Sequence, residues 1–257
     1  MRTTVKAEGR LSILPTEHLA SPLPGAEDIY AIIASRYDVC ATHVVAGTEA
    51  FDILHVRDTN RLLDLLNPEL FAKDERLPYW ADLWTSSIDL ADWLTGAESL
   101  AGEKVLELGS GVGLAGIAAA RAGAQVTMTD YETDALLFAR YNALRNLPAD
   151  ALQRQVRFVP MDWRAPDVDA RFEIIIGADI VYERKNFLPI LSLLQSHLVP
   201  GGRALLTEPD RAVGRAFLAA VRDYPFSVHH ICTGVVRDGK TFRISRILLQ
   251  YEPSETI

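Results

Sequence analysis

The chain has 257 residues and a formal net charge of −8, a size that suits one α/β core with a modest extension. Its 26 Lys and Arg residues are scattered along the chain, which argues against a nucleic-acid surface and favours a neutral or basic partner. The two cysteines, Cys40 and Cys232, are spaced for neither a disulfide framework nor a zinc cluster and read as thiols of a reducing compartment.

No apolar run reaches the roughly 18 residues of a membrane span. Met1 to Pro24, broken by Pro15, Pro22 and Pro24, lacks the apolar centre of a signal peptide. A soluble, cytoplasmic protein is expected, with no membrane or nucleic-acid partner.

In chain order, Glu27 to Arg36 predicts a short helix, Thr42 to Ala46 and Phe51 to Val56 a hairpin about Gly47-Thr48, and Asn60 to Leu66 another helix. Residues 1–76 are read as an N-terminal accessory α+β region and 77–257 as the main domain. The cluster Arg61, Lys73 and Arg76 reads as a solvated face. A helix from Ile88 to Leu94, with Ser86 or Ser87 as cap and Gly96 as stop, joins the two parts. Trp80, Trp84 and Trp93 fall around it, either stapling the accessory region to the core or forming an aromatic cluster at a site mouth.

From Gly102 the chain alternates short apolar strands with periodic helices, the signature of a parallel sheet covered on both faces. The strands are Lys104–Leu108, Gln125–Thr129, Val156–Pro160, Phe172–Ala178 and Arg203–Thr207. The intervening helices are Leu114–Ala122, Thr133–Leu147, Asn186–Leu198 and Ala212–Asp223, the second presenting Leu137, Tyr141 and Leu144 on one face. Ile174-Ile175-Ile176 is the continuous apolar run of a strand buried on both sides. Phe226–Val235 and Thr241–Tyr251 then follow with only a turn at Asp238-Gly239 between them, so one must run antiparallel. The expected fold is a Rossmann-like doubly wound seven-stranded sheet ending in one reversed strand; in this it resembles the class I methyltransferase sheet, a resemblance that implies the order 3-2-1-4-5-7-6 with strand 7 reversed.

Val105-Leu106-Glu107-Leu108-Gly109-Ser110-Gly111-Val112-Gly113 is the most telling stretch. Alternate glycines after a strand let the backbone turn sharply and approach a nucleoside where a Cβ would collide. Gly111 to Gly116 also satisfies GxGxxG, with Asp130 at a dinucleotide-like distance, so NAD is the rival. The acid Glu107, the early Gly109 and the final hairpin favour S-adenosylmethionine (SAM). Glu107 then lies where it can hold the methionine ammonium, and Asp130 where it can accept the ribose hydroxyls. Asp162 is placed for the adenine amine and Trp163 for its ring. Ala178 closes the fourth strand beside them. His229-His230 alternate across a strand and do not chelate a metal together; no metal site is expected.

The segments LPYWADLW, VLELGSGVGLAGIAAA, MDW and GADIVY, from about Leu77 to Asp210, resemble the seven-strand methyltransferases of the protein-lysine type, methyltransferase family 16. The resemblance implies that Asp179 and Tyr182, in Asp179-Ile180-Val181-Tyr182, lie beside the transferred methyl group and that Trp84 lines the cofactor pocket. It implies a protein lysine as acceptor, with a small-molecule amine as the alternative. A non-catalytic SAM-fold interaction protein is a further alternative, disfavoured by the intact loop. Glu208, ending the fifth strand, is expected on the same rim as a weaker candidate for a substrate contact.

Overall fold

The computed structural model describes residues 25–64, 77–96, 99–237 and 239–253. It opens with α1 (Ala26–Arg36), the hairpin β1 (Val39–Ala46) and β2 (Glu49–Val56), and the short α2 (Asn60–Asp64). The hairpin pairs without a break from Val39↔Val56 to Ala46↔Glu49, closed by Gly47 at φ 61°, as a tight two-residue turn requires. A 3₁₀ turn at Tyr79–Ala81 precedes α3 (Thr85–Gly96). The expected helix end at Leu65 and Leu66, the basic residues Lys73 and Arg76, and the turn residue Asp238 lie outside the described residues.

The main sheet is built from β3 (Lys104–Leu108), β4 (Gln125–Asp130), β5 (Val156–Pro160), β6 (Phe172–Ala178), β7 (Leu198–Glu208), β8 (Phe226–Arg237) and β9 (Lys240–Tyr251). Its order is β5-β4-β3-β6-β7-β9-β8. Counted from β3, that is the expected 3-2-1-4-5-7-6. β9 runs antiparallel to both β7 and β8, while the other pairings are parallel. The helices are α4 (Leu114–Arg121), α5 (Thr133–Asn146), α6 (Ala149–Gln155), α7 (Phe187–His197) and α8 (Ala212–Val221). Ile174, Ile175 and Ile176 are fully buried, as a central strand covered on both faces demands. α4 is buried from Leu114 to Ala120, and its glycine and alanines let it lie close against the sheet.

Several local expectations are corrected. α6 was not anticipated; it starts directly after Pro148 and is too short for a periodic pattern to reveal it. α3 begins at Thr85, so Ser86 and Ser87 sit inside its first turn and do not cap it. β7 extends back to Leu198 through Pro200-Gly201-Gly202, its pairing with β6 shifting register between Phe172 and Ile174. On α5 the deepest face is Phe138, Ala139, Asn142, Ala143 and Asn146, while Leu137, Tyr141 and Leu144 flank it half-buried.

That polar component of α5 has a structural purpose. Asn142 accepts the Leu54 N–H at 2.8 Å and donates to the Leu54 carbonyl at 2.9 Å; Asn146 does the same for Asp52 at 3.0 and 2.9 Å. Four residues along a helix and two along a strand both advance about 6 to 6.6 Å, so the two carboxamides pair with successive edge-facing residues of β2 as a neighbouring strand would. Asn142 also donates to the Val112 carbonyl at 2.8 Å, in the glycine loop. Ile29, Ile33, Phe51 and Ile53 join Val105, Leu114 and Phe138 in one continuous core.

Candidate functional site

A cavity of about 490 Å³ opens at the carboxyl ends of β3, β4 and β6, where open α/β sheets bind ligands. Trp84, Glu107, Gly109, Gly111, Asp130, Asp162, Trp163, Ala178, Asp179 and Tyr182 all line it. Gly113 is the exception among the expected site residues. It ends the loop at φ 91° beneath α4, where a Cβ would stand 2.9 Å from Ala139 and Met128.

Glu107, the penultimate residue of β3, is buried under the first turns of α4. Its Oε1 accepts the Gly116 amide at 2.9 Å, and a Cβ on Gly116 would lie 2.4 Å from Oε2. The last glycine of the apparent GxGxxG therefore makes room for an acid. Burial pushes the Glu107 carboxyl up to about 8 against the pull of Ser110 and the Gly116 amide. Apart from the Ser110 hydroxyl beside the carboxyl, Oε2 has no hydrogen-bond partner among the described residues. A buried acceptor left open on a cavity wall fits a cationic donor group.

Asp130, at the end of β4, fastens the loop. Its Oδ2 accepts the Gly111 amide and its Oδ1 the Glu132 amide, both at 2.9 Å. Burial raises its pKa to about 6 despite these bonds. Each carboxylate oxygen carries two lone pairs, so capacity for further donors remains. Asp162 lies at the rim, bound to Arg164 by side-chain contacts of 2.7 to 2.9 Å. Trp163 packs against a separate apolar cluster that includes Leu106, Ile175 and Ile180, and approaches Gly109, whose Cβ would be 3.3 Å from its ring.

The opposite wall is aromatic. Tyr79 meets Trp84 edge-on at 6.0 Å and Tyr182 at 5.5 Å, and the Trp84 indole N–H donates to the Tyr79 carbonyl at 2.6 Å. The tryptophans thus divide their work. Trp84 stands at the mouth, Trp80 lines the cavity while packing on Tyr37 and Phe138, and Trp93 lies under the Arg246 guanidinium. Burial pushes the Tyr182 hydroxyl up to about 12, which keeps it protonated.

Asp179 follows β6 at φ 54°, a left-handed conformation unusual outside glycine. Its amide donates to the Thr207 carbonyl at 2.7 Å. Its side chain, 8% exposed, receives both arms of Arg211 at 2.6 and 3.1 Å. Arg211 also lines the cavity, and nothing in the sequence around it had singled it out. Tyr79 lies within LPYWADLW, where nothing in the residue pattern marks it out from its neighbours. Glu208 does not open on the rim as expected. It is buried beneath α8, accepting the Arg211 amide at 3.0 Å, with Gly214 kept bare by its carboxylate. His229 and His230 are both exposed on β8.

A doubly wound sheet with one reversed strand, an acid-and-glycine loop after β3 and a second acid closing β4 together define a class I SAM-dependent methyltransferase. Residues 71–218 match the family described as Lysine methyltransferase, and the chain belongs to that family. It is 37% identical over 176 residues to Protein N-lysine methyltransferase METTL21A of Danio rerio, covering 66% of this chain and 78% of that protein. It is 31% identical over 140 residues to EEF1A lysine methyltransferase 3 of Mus musculus, covering 53% of this chain and 59% of that protein. The fold is similar to the crystal structure of N-methyltransferase NodS from Bradyrhizobium japonicum, which holds S-adenosyl-L-homocysteine. The TM-score is 0.53 at 14% identity, over 76% of this chain and 98% of that one.

Proposed function

We propose that this protein transfers the methyl group of SAM to the ε-amine of lysine in a protein substrate. The observation that carries the reading is a single cavity holding two amide-held acids on one wall, Glu107 and Asp130, and Asp179 with Tyr182, Tyr79 and Trp84 at its mouth. Similarity to two enzymes named as protein-lysine methyltransferases supports it.

When bound, SAM supplies an electrophilic methyl group on a sulfonium. Glu107 receives the ammonium, and Asp130 the ribose hydroxyls through its remaining lone pairs. Gly109, Gly111, Ala178, Asp162 and Trp163 shape the walls around the nucleoside. Lysine has an ordinary pKa of about 10.4, so the site must present its neutral form. Trp84 and Tyr79 flank the alkyl chain and shed its water, which favours deprotonation. Asp179 and the Tyr182 oxygen accept N–H bonds and aim the nitrogen lone pair, the alignment an in-line displacement needs.

We place the reaction in a reducing, cytoplasmic setting, in keeping with free Cys40 and Cys232. No helix among the described residues is long and apolar enough to cross a membrane. The test is incubation with tritiated SAM and a cell extract, followed by separation of protein from small molecules. Methyl-lysine in hydrolysed protein is expected. Label confined to the small-molecule fraction would overturn the protein-lysine assignment in favour of a small amine, and SAM binding without any transfer would favour an interaction protein.

A further inference from the structure

We infer that Arg211 is a positioning residue of the acceptor end of the site: the two arms of its guanidinium hold the Asp179 carboxylate aimed into the cavity and yield it to the incoming amine. The inference rests on the reading of Asp179 as the acid that meets the acceptor.

The geometry is specific. The two arms of one guanidinium bind the two oxygens of Asp179 at 2.6 and 3.1 Å, the planar fork that lysine cannot reproduce. Both oxygens are engaged, so an acceptor amine must share or displace the arginine. The partners differ in freedom: the Asp179 side chain is 8% exposed and that of Arg211 40%. The aspartate is the fixed member and the arginine the one able to withdraw toward solvent along the cavity rim.

The backbone on both sides supports this division. Asp179 is anchored at φ 54° by the Thr207 carbonyl. Arg211 caps α8, its amide held by Glu208, and follows Asp210 at φ 41°. Asp210 in turn pairs with Arg215 of α8 at 3.5 Å and Arg243 of β9 at 3.2 Å. The loop that carries Arg211 is thereby tied down while its side chain reaches into the cavity.

The electrostatics agree. Burial leaves the Asp179 carboxyl raised above its ordinary range, and the charge and hydrogen bonds of Arg211 hold that rise in check. Among the described residues, Tyr182, protonated at neutral pH, and Glu208, whose carboxylate adds repulsion, also act on this acid. Neither supplies the positive charge that Arg211 does. An ionised Asp179 can accept an N–H of the neutral acceptor amine in place of an arginine N–H, whereas a protonated one has given a lone pair to its own proton.

The experiment compares wild type with Arg211→Met and Arg211→Lys. Titration of ¹³C-labelled aspartate carboxyls by NMR, with Asp179→Asn to assign the signal, follows the acid without any acceptor. The rate of tritium transfer from SAM to extract protein, taken as a variant-to-wild-type ratio at each pH, follows the reaction. In Arg211→Met the Asp179 midpoint is expected to rise by about one pH unit or more. The acid limb of the transfer rate should move up with it, and SAM binding should remain unchanged. Arg211→Lys should shift both by less. Coincident midpoints, or a midpoint that rises while the acid limb stays in place, would overturn the inference. So would a tenfold or greater loss of SAM affinity, which would put Arg211 on the donor side. The NMR titration is independent of the acceptor, so absence of lysine labelling by the wild type strikes the functional reading separately.

Discussion

Glu107 and Asp130 owe their character to burial, and the sign of their pH dependence follows from it. Glu107 is raised from 4.5 to about 8 and Asp130 from 3.8 to about 6. Between the ordinary and the raised values the folded chain holds protons that the unfolded chain has released. Both groups therefore make the ligand-free protein less stable as pH rises through these windows. A cationic ligand favours the ionised forms, so SAM binding should release protons and tighten from about pH 6 to about pH 8. Calorimetry in buffers of different ionisation enthalpy measures that release directly, and a pH-independent affinity would contradict the assignment of Glu107. Asp130→Ala should abolish measurable SAM binding, because it frees the Gly111 and Glu132 amides and removes the carboxylate proposed to accept the ribose hydroxyls. Asp179→Ala should retain binding and lose turnover; equal loss in titration and transfer assays would show that their roles are wrongly divided.

Among the elements, the β3–α4 unit was the most legible in the sequence. Its information is local: an apolar strand, an acid and alternate glycines within one turn. Gly116 shows where the same local reading misleads, since GxGxxG is satisfied but its last glycine faces Glu107 and not a pyrophosphate-type packing need. Gly116→Ala should destabilise the fold by about 1–3 kcal/mol through overpacking and weaken SAM binding, as thermal unfolding with and without ligand would show. Arg211 was illegible because its partner lies 32 residues away, the two being brought together by separate loops after β6 and β7. Asn142 and Asn146 were illegible for another reason: an asparagine in a helical pattern reads as surface, and only tertiary placement makes it the partner of a strand edge. Glu208 failed in the opposite direction, a strand-end acid that the first turn of α8 covers.

At the scale of the whole molecule, the N-terminal hairpin and the methyltransferase core share one hydrophobic interior and one polar seam. Asn142→Ala leaves the Leu54 amide and carbonyl and the Val112 carbonyl without their partner. It should cost roughly 2–5 kcal/mol, read as a lowered denaturation midpoint. A chain beginning at Leu77 should show the same weakness more severely, because it uncovers Phe138 and Ala143. The side-chain nitrogen of Asn142 donates to Leu54 in the hairpin and to Val112 in the loop that fronts the cavity. Thermodynamic reciprocity then applies: whatever the hairpin does to methyl-donor affinity, the donor must do in equal measure to the hairpin. Occupancy of the nucleoside pocket should slow hydrogen exchange at the Leu54 and Asp52 amides, and a molecule that grips β1 and β2 from outside would act as a remote effector of methyl-donor binding.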